Sequence, residues 1–448
     1  MAAQCAVLLK NQGVLPLNPA SAVAYIGPYV EKPRFQGAGS SHINASKVSD
    51  ALTTARAKGR RVSYARGFCG DRDEWDESLA QEAVAAARQA EVAVLFAGLP
   101  DSFESEGYDR SHMALPDCQN RLIARIAAVQ PSTIVVLHNG SPVEMPWADQ
   151  VRGILELYLG GQGVGEATDA LLFGDAEPGG RLPETFPLAL AHNPSYLNFP
   201  GDGHTVRYAE DVYVGYRYYD KKQLPVRFPF GHGLSYTTFS YQNCRVSAPT
   251  LREGETLTVC VDVTNTGRRT GSTVVQLYIR DETGAADRPV RELKGFGKVS
   301  LAPGETKTIA LPVRARDLCW FSEALNDWYA APGTYVLELG RSSRDLFAAL
   351  PVTFCTDRCL PVVIEENTTM GEILAHPALT TALQAAFPDL LARLAPDAER
   401  SQAAKEAITE EMIRAQLDSM PLRALPSILG LSQETFDALL AALRKANP

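Results

Sequence analysis

The first half of the sequence alternates short apolar runs with stretches in which apolar residues recur at helical spacing. The apolar runs predict strands at 23–26, 62–64, 92–97, 133–137 and 154–159. The amphipathic stretches predict helices at 2–9, 48–58, 78–90 and 166–173, and another from about residue 116. Because continuous apolar runs are typical of strands buried on both faces, we expect an α/β sandwich, with a parallel-rich sheet and helices on both faces.

The pattern changes after this region. Residues 208–239 are rich in aromatic and turn residues without a helical period, and they predict a connector. Its tyrosines between positions 213 and 219 form either a platform for a sugar or a wedge between the flanking domains, and we favour the wedge. From 251 to 352, short alternating strands separated by turn residues predict an all-β sandwich of about seven strands.

The last part of the chain again shows apolar residues at helical spacing, for example at Leu383 and Phe387, at Leu390, Leu391 and Leu394, and at Leu439 and Leu443. Four prolines divide it into several short helices, so we expect a helical C-terminal tail. The predicted domains are therefore an α/β domain at 1–205, the connector at 206–245, the β-sandwich at 246–355 and the helical region at 356–448.

Composition excludes several classes of partner. The chain has 448 residues, 45% of them hydrophobic and 21% charged, as is typical of a globular protein with two to four domains. A formal net charge of −9 argues against binding to nucleic acid or to an anionic membrane. Apolar runs of membrane-spanning length and a secretion-signal pattern are both absent from the sequence. Eight scattered cysteines favour a reduced, cytoplasmic protein, and we expect no metal and no cofactor.

The polar segment after the strand at 92–97 is the first candidate for chemistry. It carries four carboxylates and an arginine: Asp101, Glu104, Glu106, Asp109 and Arg110. Ligands bind at the carboxyl ends of strands in open parallel sheets, so this segment is expected at a functional edge. The alternative interpretation is a solvated acidic loop.

The remaining motifs give weaker evidence for a functional site. The glycine-rich run 160–167 has the wrong spacing and position for a dinucleotide fingerprint. The small residues of the loop 34–44 permit a substrate contact there, which stays unassigned. Ser141 lacks the flanking glycines of a nucleophile elbow, and His138 is better explained as a core or rim residue than as a ligand.

The segment ESEGYDR, followed by MALPDCQNRLI, resembles the acid/base segment of glycoside hydrolase family 3. The stretches PGGRLPETFP, VGYRYYDKK and RELKGFGKV also resemble that family, and the resemblance covers roughly residues 1–350. It implies that the β-sandwich is fibronectin-III-like and that the tail is similar to tails of some bacterial members. The family's Glu-Gly-Tyr falls on Glu106, so the resemblance makes Glu106, rather than Glu104, the general acid/base.

The same resemblance places the catalytic nucleophile elsewhere. In the family, an aspartate in a (β/α)-barrel that precedes these domains is the nucleophile, and this sequence has no eightfold βα pattern. Asn326-Asp327-Trp328 is similar to the family's Ser-Asp-Trp nucleophile segment, but it is expected in a hairpin of the β-sandwich, and Asp327 is rejected. The resemblance therefore implies the accessory half of a retaining β-glucosidase. Its partners would be β-glucosides and a separate barrel polypeptide or a second copy of the chain. The alternative is a non-catalytic carbohydrate-binding or interaction protein.

Overall fold

A computed structural model describes residues 1–388 and 410–447. The predicted helical positions Leu390, Leu391 and Leu394 lie outside the described residues. The chain forms two compact units, one of residues 1–317 and 332–354, the other of residues 318–331 and the chain from 355 onward. The α/β part, the connector and the sandwich share one unit, so the boundaries predicted at 205 and 245 stay predictions. The boundary predicted at 355 also stays a prediction.

A six-stranded sheet organises the first part of the chain. Its strands are β1 (Val7–Asn11), β2 (Val23–Ile26), β3 (Val62–Ala65), β4 (Val92–Gly98), β5 (Thr133–His138) and β6 (Gly153–Glu156). They lie in the order β1-β6-β5-β4-β2-β3. The strands β2 to β6 pair in parallel, and β1 pairs antiparallel with β6 at the edge.

Helices cover both faces of this sheet: α1 (Ala2–Cys5), α2 (Ala51–Ala57), α3 (Glu77–Gln89), α4 (Asp117–Ala127) and α5 (Val164–Leu172). Every residue of β4 is buried, and its alternate side chains enter opposite cores. One core includes Leu95 and Leu122 of α4, and the other includes Phe96 and Leu171 of α5. The predicted α/β sandwich with helices on both faces is confirmed.

The first predicted helix was too long. The helix ends at Cys5, and Val7–Asn11 forms the antiparallel strand β1 instead of a continuation of the helix. Successive side chains explain the change, because Val7 and Leu9 enter one core whereas Leu8 enters the other. A short apolar run of this kind is typical of a strand buried on both faces. The small residues before it also suit a helix, so the sequence pattern predicted a longer helix.

The connector contains one helix that the sequence analysis did not predict, α6 (Tyr216–Lys221). A two-stranded pair, β7 (Phe186–Pro187) and β8 (Val226–Phe228), flanks it. The Tyr216 hydroxyl accepts a hydrogen bond from the Leu293 amide of the sandwich at 2.8 Å, and the Tyr219 side chain is buried. Both tyrosines therefore have the inward packing expected of a wedge.

The β-sandwich has eight strands where about seven were expected: β9 (Phe239–Val246), β10 (Thr250–Arg252), β11 (Thr256–Asn265), β12 (Gly271–Asp281), β13 (Glu292–Leu301), β14 (Thr306–Arg314) and, after a hairpin, β17 (Gly333–Ser342) and β18 (Asp345–Cys355). One sheet has the order β10-β18-β17-β12-β13 and the other β14-β11-β9. The alternation of buried Val259, Val261 and Val263 along β11 is that of a strand with one face in a core. The four-residue helix α7 (Ala315–Leu318) follows β14.

The second unit contains a hairpin and the helical tail. The hairpin joins β15 (Trp320–Ser322) and β16 (Asp327–Tyr329). The tail helices are Met370–Leu374, Pro377–Ala386, Glu410–Asp418, Leu425–Leu429 and Gln433–Ala446, and their apolar faces form a core of their own. The hairpin with Asp327 was expected in the β-sandwich, but it groups with the tail, where Asp327 pairs with Arg358 at 2.9 Å.

Within the described ranges, the helices are all too short or too polar to span a lipid bilayer.

Candidate functional site

The loop after β4 lies between two other loops because of the strand order. The strands on either side of β4 are β2 and β5, and both are parallel to it. Parallel neighbours end at the same edge of a sheet, so the loops that follow β2 and β5 flank the loop 99–110. All the contacts of the candidate site arise where these three loops meet.

Glu104 joins the three loops. One oxygen of its carboxylate accepts hydrogen bonds from Arg34 Nη1 at 2.5 Å and from the Gly140 amide at 2.8 Å, and the Ser141 hydroxyl donates to the other oxygen. Burial disfavours the charged form of Glu104, but the hydrogen bonds from Ser141, Gly140 and Arg34 outweigh it and lower the pKa. Glu104 is therefore a charged structural anchor.

Two arginines hold the same loop from opposite sides. Arg34 is buried, its Nη2 donates to the Glu104 carbonyl oxygen at 2.8 Å, and its Nε lies 3.4 Å from Asp101. On the other side, Arg110 Nη1 donates to the Ser141 hydroxyl at 2.7 Å and to the Pro142 carbonyl at 3.1 Å. The loop is thus fixed at residues 101, 104 and 110, on both sides of Glu106.

Glu106 lies on the exposed side of this loop. Its Oε2 accepts a hydrogen bond from the Ser40 amide at 2.5 Å, and hydrogen bonds from Ser40 lower its pKa. This close approach requires a glycine at position 39. A Cβ on Gly39, whose φ is +78°, would lie 2.5 Å from the Glu106 Cβ. In this chain the Glu106 carboxyl is an exposed, charged hydrogen-bond acceptor.

The partners of both glutamates were not predicted from the sequence. Arg34 and Ser40 belong to the glycine-rich loop that it left unassigned, and Gly140 and Ser141 belong to the turn after β5. The sequence offered one signal, since each of these residues follows an apolar strand. The missing information was the strand order, which shows that these loops are neighbours of the loop after β4.

Ser141 and His138 do not form a hydrogen-bonded pair in the part of the chain that the structure describes. The Ser141 hydroxyl donates to Glu104. His138 is fully buried at the end of β5, its ring stacks on Phe96 at 6.2 Å between centroids, and burial lowers its pKa to about 4. Across the described residues, no group of three or more His, Cys, Asp or Glu side chains is arranged to hold a metal ion.

Comparison with known proteins identifies the family. The sequence model described as the glycosyl hydrolase family 3 C-terminal domain matches residues 6–236, just over half of the chain, and a fibronectin type III-like domain matches residues 273–343. The chain belongs to glycoside hydrolase family 3. The sequence expectation of this family and of a fibronectin-III-like domain is confirmed.

Relatives of this family 3 chain include thermostable beta-glucosidase B of Acetivibrio thermocellus, 42% identical over 96% of the chain and 56% of the relative. An exo-alpha-(1->6)-L-arabinopyranosidase of Bifidobacterium longum is 38% identical over 95% of the chain and 56% of the relative. The crystal structure of a Bifidobacterium adolescentis GH3 beta-glucosidase superposes with a TM-score of 0.80 at 40% identity, over 85% of this chain and 56% of that one. The chain thus spans little more than half the length of these relatives.

The network around Glu104 predicts a stability difference between two variants of this family 3 chain. Glu104→Ala leaves the Arg34 guanidinium, whose side chain is 6% exposed, without its main partner, so we expect the free energy of unfolding to fall by about 3 kcal/mol. Asp101→Ala removes a partner of the same arginine that is 68% exposed, so we expect a loss below about 1 kcal/mol. Urea unfolding of both variants measures the difference. Equal losses would contradict the role of Glu104 as the anchor.

Glu184, next to this network, predicts a pH dependence of stability. Burial, and then the negative charge of Glu104, raise its pKa from 4.5 to about 7, and Arg110 opposes the shift. Between these two pH values the folded chain binds more protons at this site than the unfolded chain, so the site destabilises the fold as pH rises. We expect Glu184→Gln to gain stability relative to the native chain from pH 4.5 to 7. Parallel stability curves over that range would refute the shifted pKa.

Proposed function

We propose that this chain supplies the general acid/base, Glu106, to a retaining family 3 glycosidase that hydrolyses terminal β-D-glucosyl residues. The position of Glu106 is the observation that carries the proposal. It lies on the loop after the central strand β4, at the edge of the sheet where three loops meet, and it is exposed. A proton donor that acts on a substrate bound by a second domain needs such an outward position.

The protonation state of Glu106 supports the need for a second domain. A general acid must carry a proton near neutral pH, but here hydrogen bonds from Ser40 lower the pKa of this exposed carboxyl. Glu104 points toward Arg34 and Ser141, so its charge is not directed at Glu106. A domain that covers Glu106 would desolvate it and favour the protonated form.

The proposed partner is a (β/α)-barrel that carries the nucleophilic aspartate. A retaining mechanism requires two carboxyl groups about 5 Å apart, one as nucleophile and one as acid/base. In the first step Glu106 would protonate the departing glycosidic oxygen, and in the second it would remove a proton from the attacking water. The barrel would also provide most of the sugar-binding side chains, so the choice of sugar would depend on it.

An apolar surface segment beside the site is suited to such a partner. Its exposed apolar side chains are Tyr196, Leu197, Phe199, Val206, Tyr208, Val212 and Val214. The segment lies next to the Glu104 loop, because Ser195 and Val214 line the same cavity as Arg110. Exposed apolar groups on one segment favour burial against another protein surface, which would be the barrel or, without it, a second copy of this chain.

A second candidate function is a non-catalytic carbohydrate-binding or interaction protein. The exposed and charged state of Glu106 in the chain by itself favours this alternative. One experiment separates the two candidates: hydrolysis of a β-glucoside by the chain joined to a barrel, compared with the same fusion carrying Glu106→Gln. A rate that depends on Glu106 supports the enzyme, and equal rates support the alternative.

A further inference from the structure

A cavity of about 390 Å³ lies between the turn after β5 and the connector, and neither the resemblance nor the proposed mechanism uses it. Arg110, Ser141, Glu184, Thr185 and Glu210 contribute polar groups to its lining. Its volume is within the range of about 300–1,000 Å³ that small-molecule sites occupy. The cavity therefore has room for a compact ligand such as one sugar ring.

Several polar groups of this lining lack partners among the residues that the structure describes. The Thr185 side chain is only 5% exposed, and its hydroxyl has no hydrogen-bond partner among the described residues. Within the same described ranges, Arg110 Nε and Nη2 and Glu210 Oε2 are also buried without a hydrogen bond. Buried polar groups are nearly always hydrogen-bonded in folded proteins, so this concentration around one cavity points to a ligand that offers both donors and acceptors.

The charges around the cavity favour a neutral ligand. Arg110 carries one positive charge, and the carboxyls of Glu184 and Glu210 face the same cavity. Because the Glu184 pKa is raised to about 7, that carboxyl is only partly ionised at neutral pH and can donate as well as accept a hydrogen bond. Because charges of both signs line the cavity, an anion and a cation would each lie near a group of like charge, whereas a neutral ligand with hydroxyl groups can form hydrogen bonds with all three side chains.

The remaining wall is apolar. Met113, Leu190 and Val214 line the cavity together with Pro187 and Tyr219. A sugar ring has C–H groups on its faces and hydroxyl groups around its edge, so it matches a lining with apolar walls and converging polar groups.

We propose that this cavity binds one neutral sugar unit, whose hydroxyl groups pair with Thr185, Glu184 and Arg110. The unit is either a free monosaccharide or one residue of an oligosaccharide. This inference rests on the carbohydrate-binding candidate above and gives it a specific site, and it is independent of the proposed catalytic role, because the chain would bind the sugar without a barrel and without any catalytic step. Its failure is therefore distinguishable from failure of the proposed function.

The test uses the purified chain, isothermal titration, and saturation-transfer NMR with glucose and cellobiose as probes. We expect binding of at least one probe with a dissociation constant in the millimolar range. Equal affinity for both probes would support a free monosaccharide as the occupant, and tighter binding of cellobiose would support a residue of an oligosaccharide.

Glucosamine and glucuronate are the charged controls, and we expect them to bind more weakly. No binding of either neutral probe at tens of millimolar would overturn the proposal, and equal binding of the charged sugars would overturn its neutral-ligand part.

Two matched variants locate the site. Thr185→Val removes the buried hydroxyl and should weaken sugar binding about tenfold, because one ligand hydrogen bond is lost. Ser272→Ala removes a hydroxyl on β12 that is similarly buried, at 6% exposure, and also lacks a partner among the described residues, but lies outside the cavity. We expect it to bind like the native chain. Equal affinities of the two variants would show that the sugar binds elsewhere, and thermal unfolding verifies that both are folded.

Discussion

The purified chain by itself is expected not to hydrolyse aryl β-glucosides, and activity is expected to appear once a barrel is joined to it. Glu106 can provide only one of the two carboxyl groups that a retaining mechanism requires. The resemblance places the other on a barrel, and Asp327, which most resembles it in sequence, pairs with Arg358 in a hairpin. The measurement is the hydrolysis rate of an activated aryl β-glucoside by the chain and by a fusion protein.

The fusion partner to test is the part of thermostable beta-glucosidase B of Acetivibrio thermocellus that this chain does not match, as the candidate barrel. That part alone is the first control, and its fusion to the chain carrying Glu106→Gln is the second. Turnover by the isolated chain well above that of its own Glu106→Gln variant would contradict the proposal that the nucleophile lies outside it.

Local sequence patterns were sufficient to predict the fold of the α/β part, and the strands β4 and β1 show why this worked and where it failed. The run Val92–Gly98 is apolar at every position because both faces of β4 are covered by helices. The same reasoning failed at Val7–Asn11, where a short apolar run follows small residues that also suit a helix. Only the pairing of β1 with β6 decides between the two.

The candidate site was less predictable, because its contacts join residues far apart in the sequence. The segment with Glu104 and Glu106 was visible as a group of carboxylates after a buried strand. Their different environments could not be predicted, since Glu104 binds Arg34 and Ser141 whereas the exposed Glu106 accepts a hydrogen bond from the Ser40 amide. These environments depend on strand order, which a single sequence does not contain.

Substitution of Glu106 is expected to affect substrates unequally. With the barrel present, Glu106→Ala should lower the hydrolysis of alkyl glucosides and of glucosyl sugars by about 10² or more, because a basic leaving group must be protonated as it departs. An aryl glucoside with a strongly acidic leaving group needs no such help, so its glycosyl-enzyme should form at a nearly normal rate. Azide should then restore its turnover, because this small nucleophile needs no general base.

Glu104→Ala and Asp109→Ala are the matched controls for this substitution. Both residues are carboxylates of the same loop. Glu104 anchors the loop through Arg34 and Ser141, and Asp109 is exposed. We expect these variants to change the stability of the loop or the pH profile of the enzyme, without a dependence on the leaving group.

The most direct test of the account is therefore the hydrolysis rate of the fusion protein plotted against the pKa of the leaving group, for the native sequence and for all three variants. The assignment of Glu106 predicts a steep fall with leaving-group pKa, together with rescue by azide, in Glu106→Ala alone. If Glu104→Ala shows the steep dependence and the azide rescue while Glu106→Ala does not, the proton donor is Glu104 and the central claim is wrong.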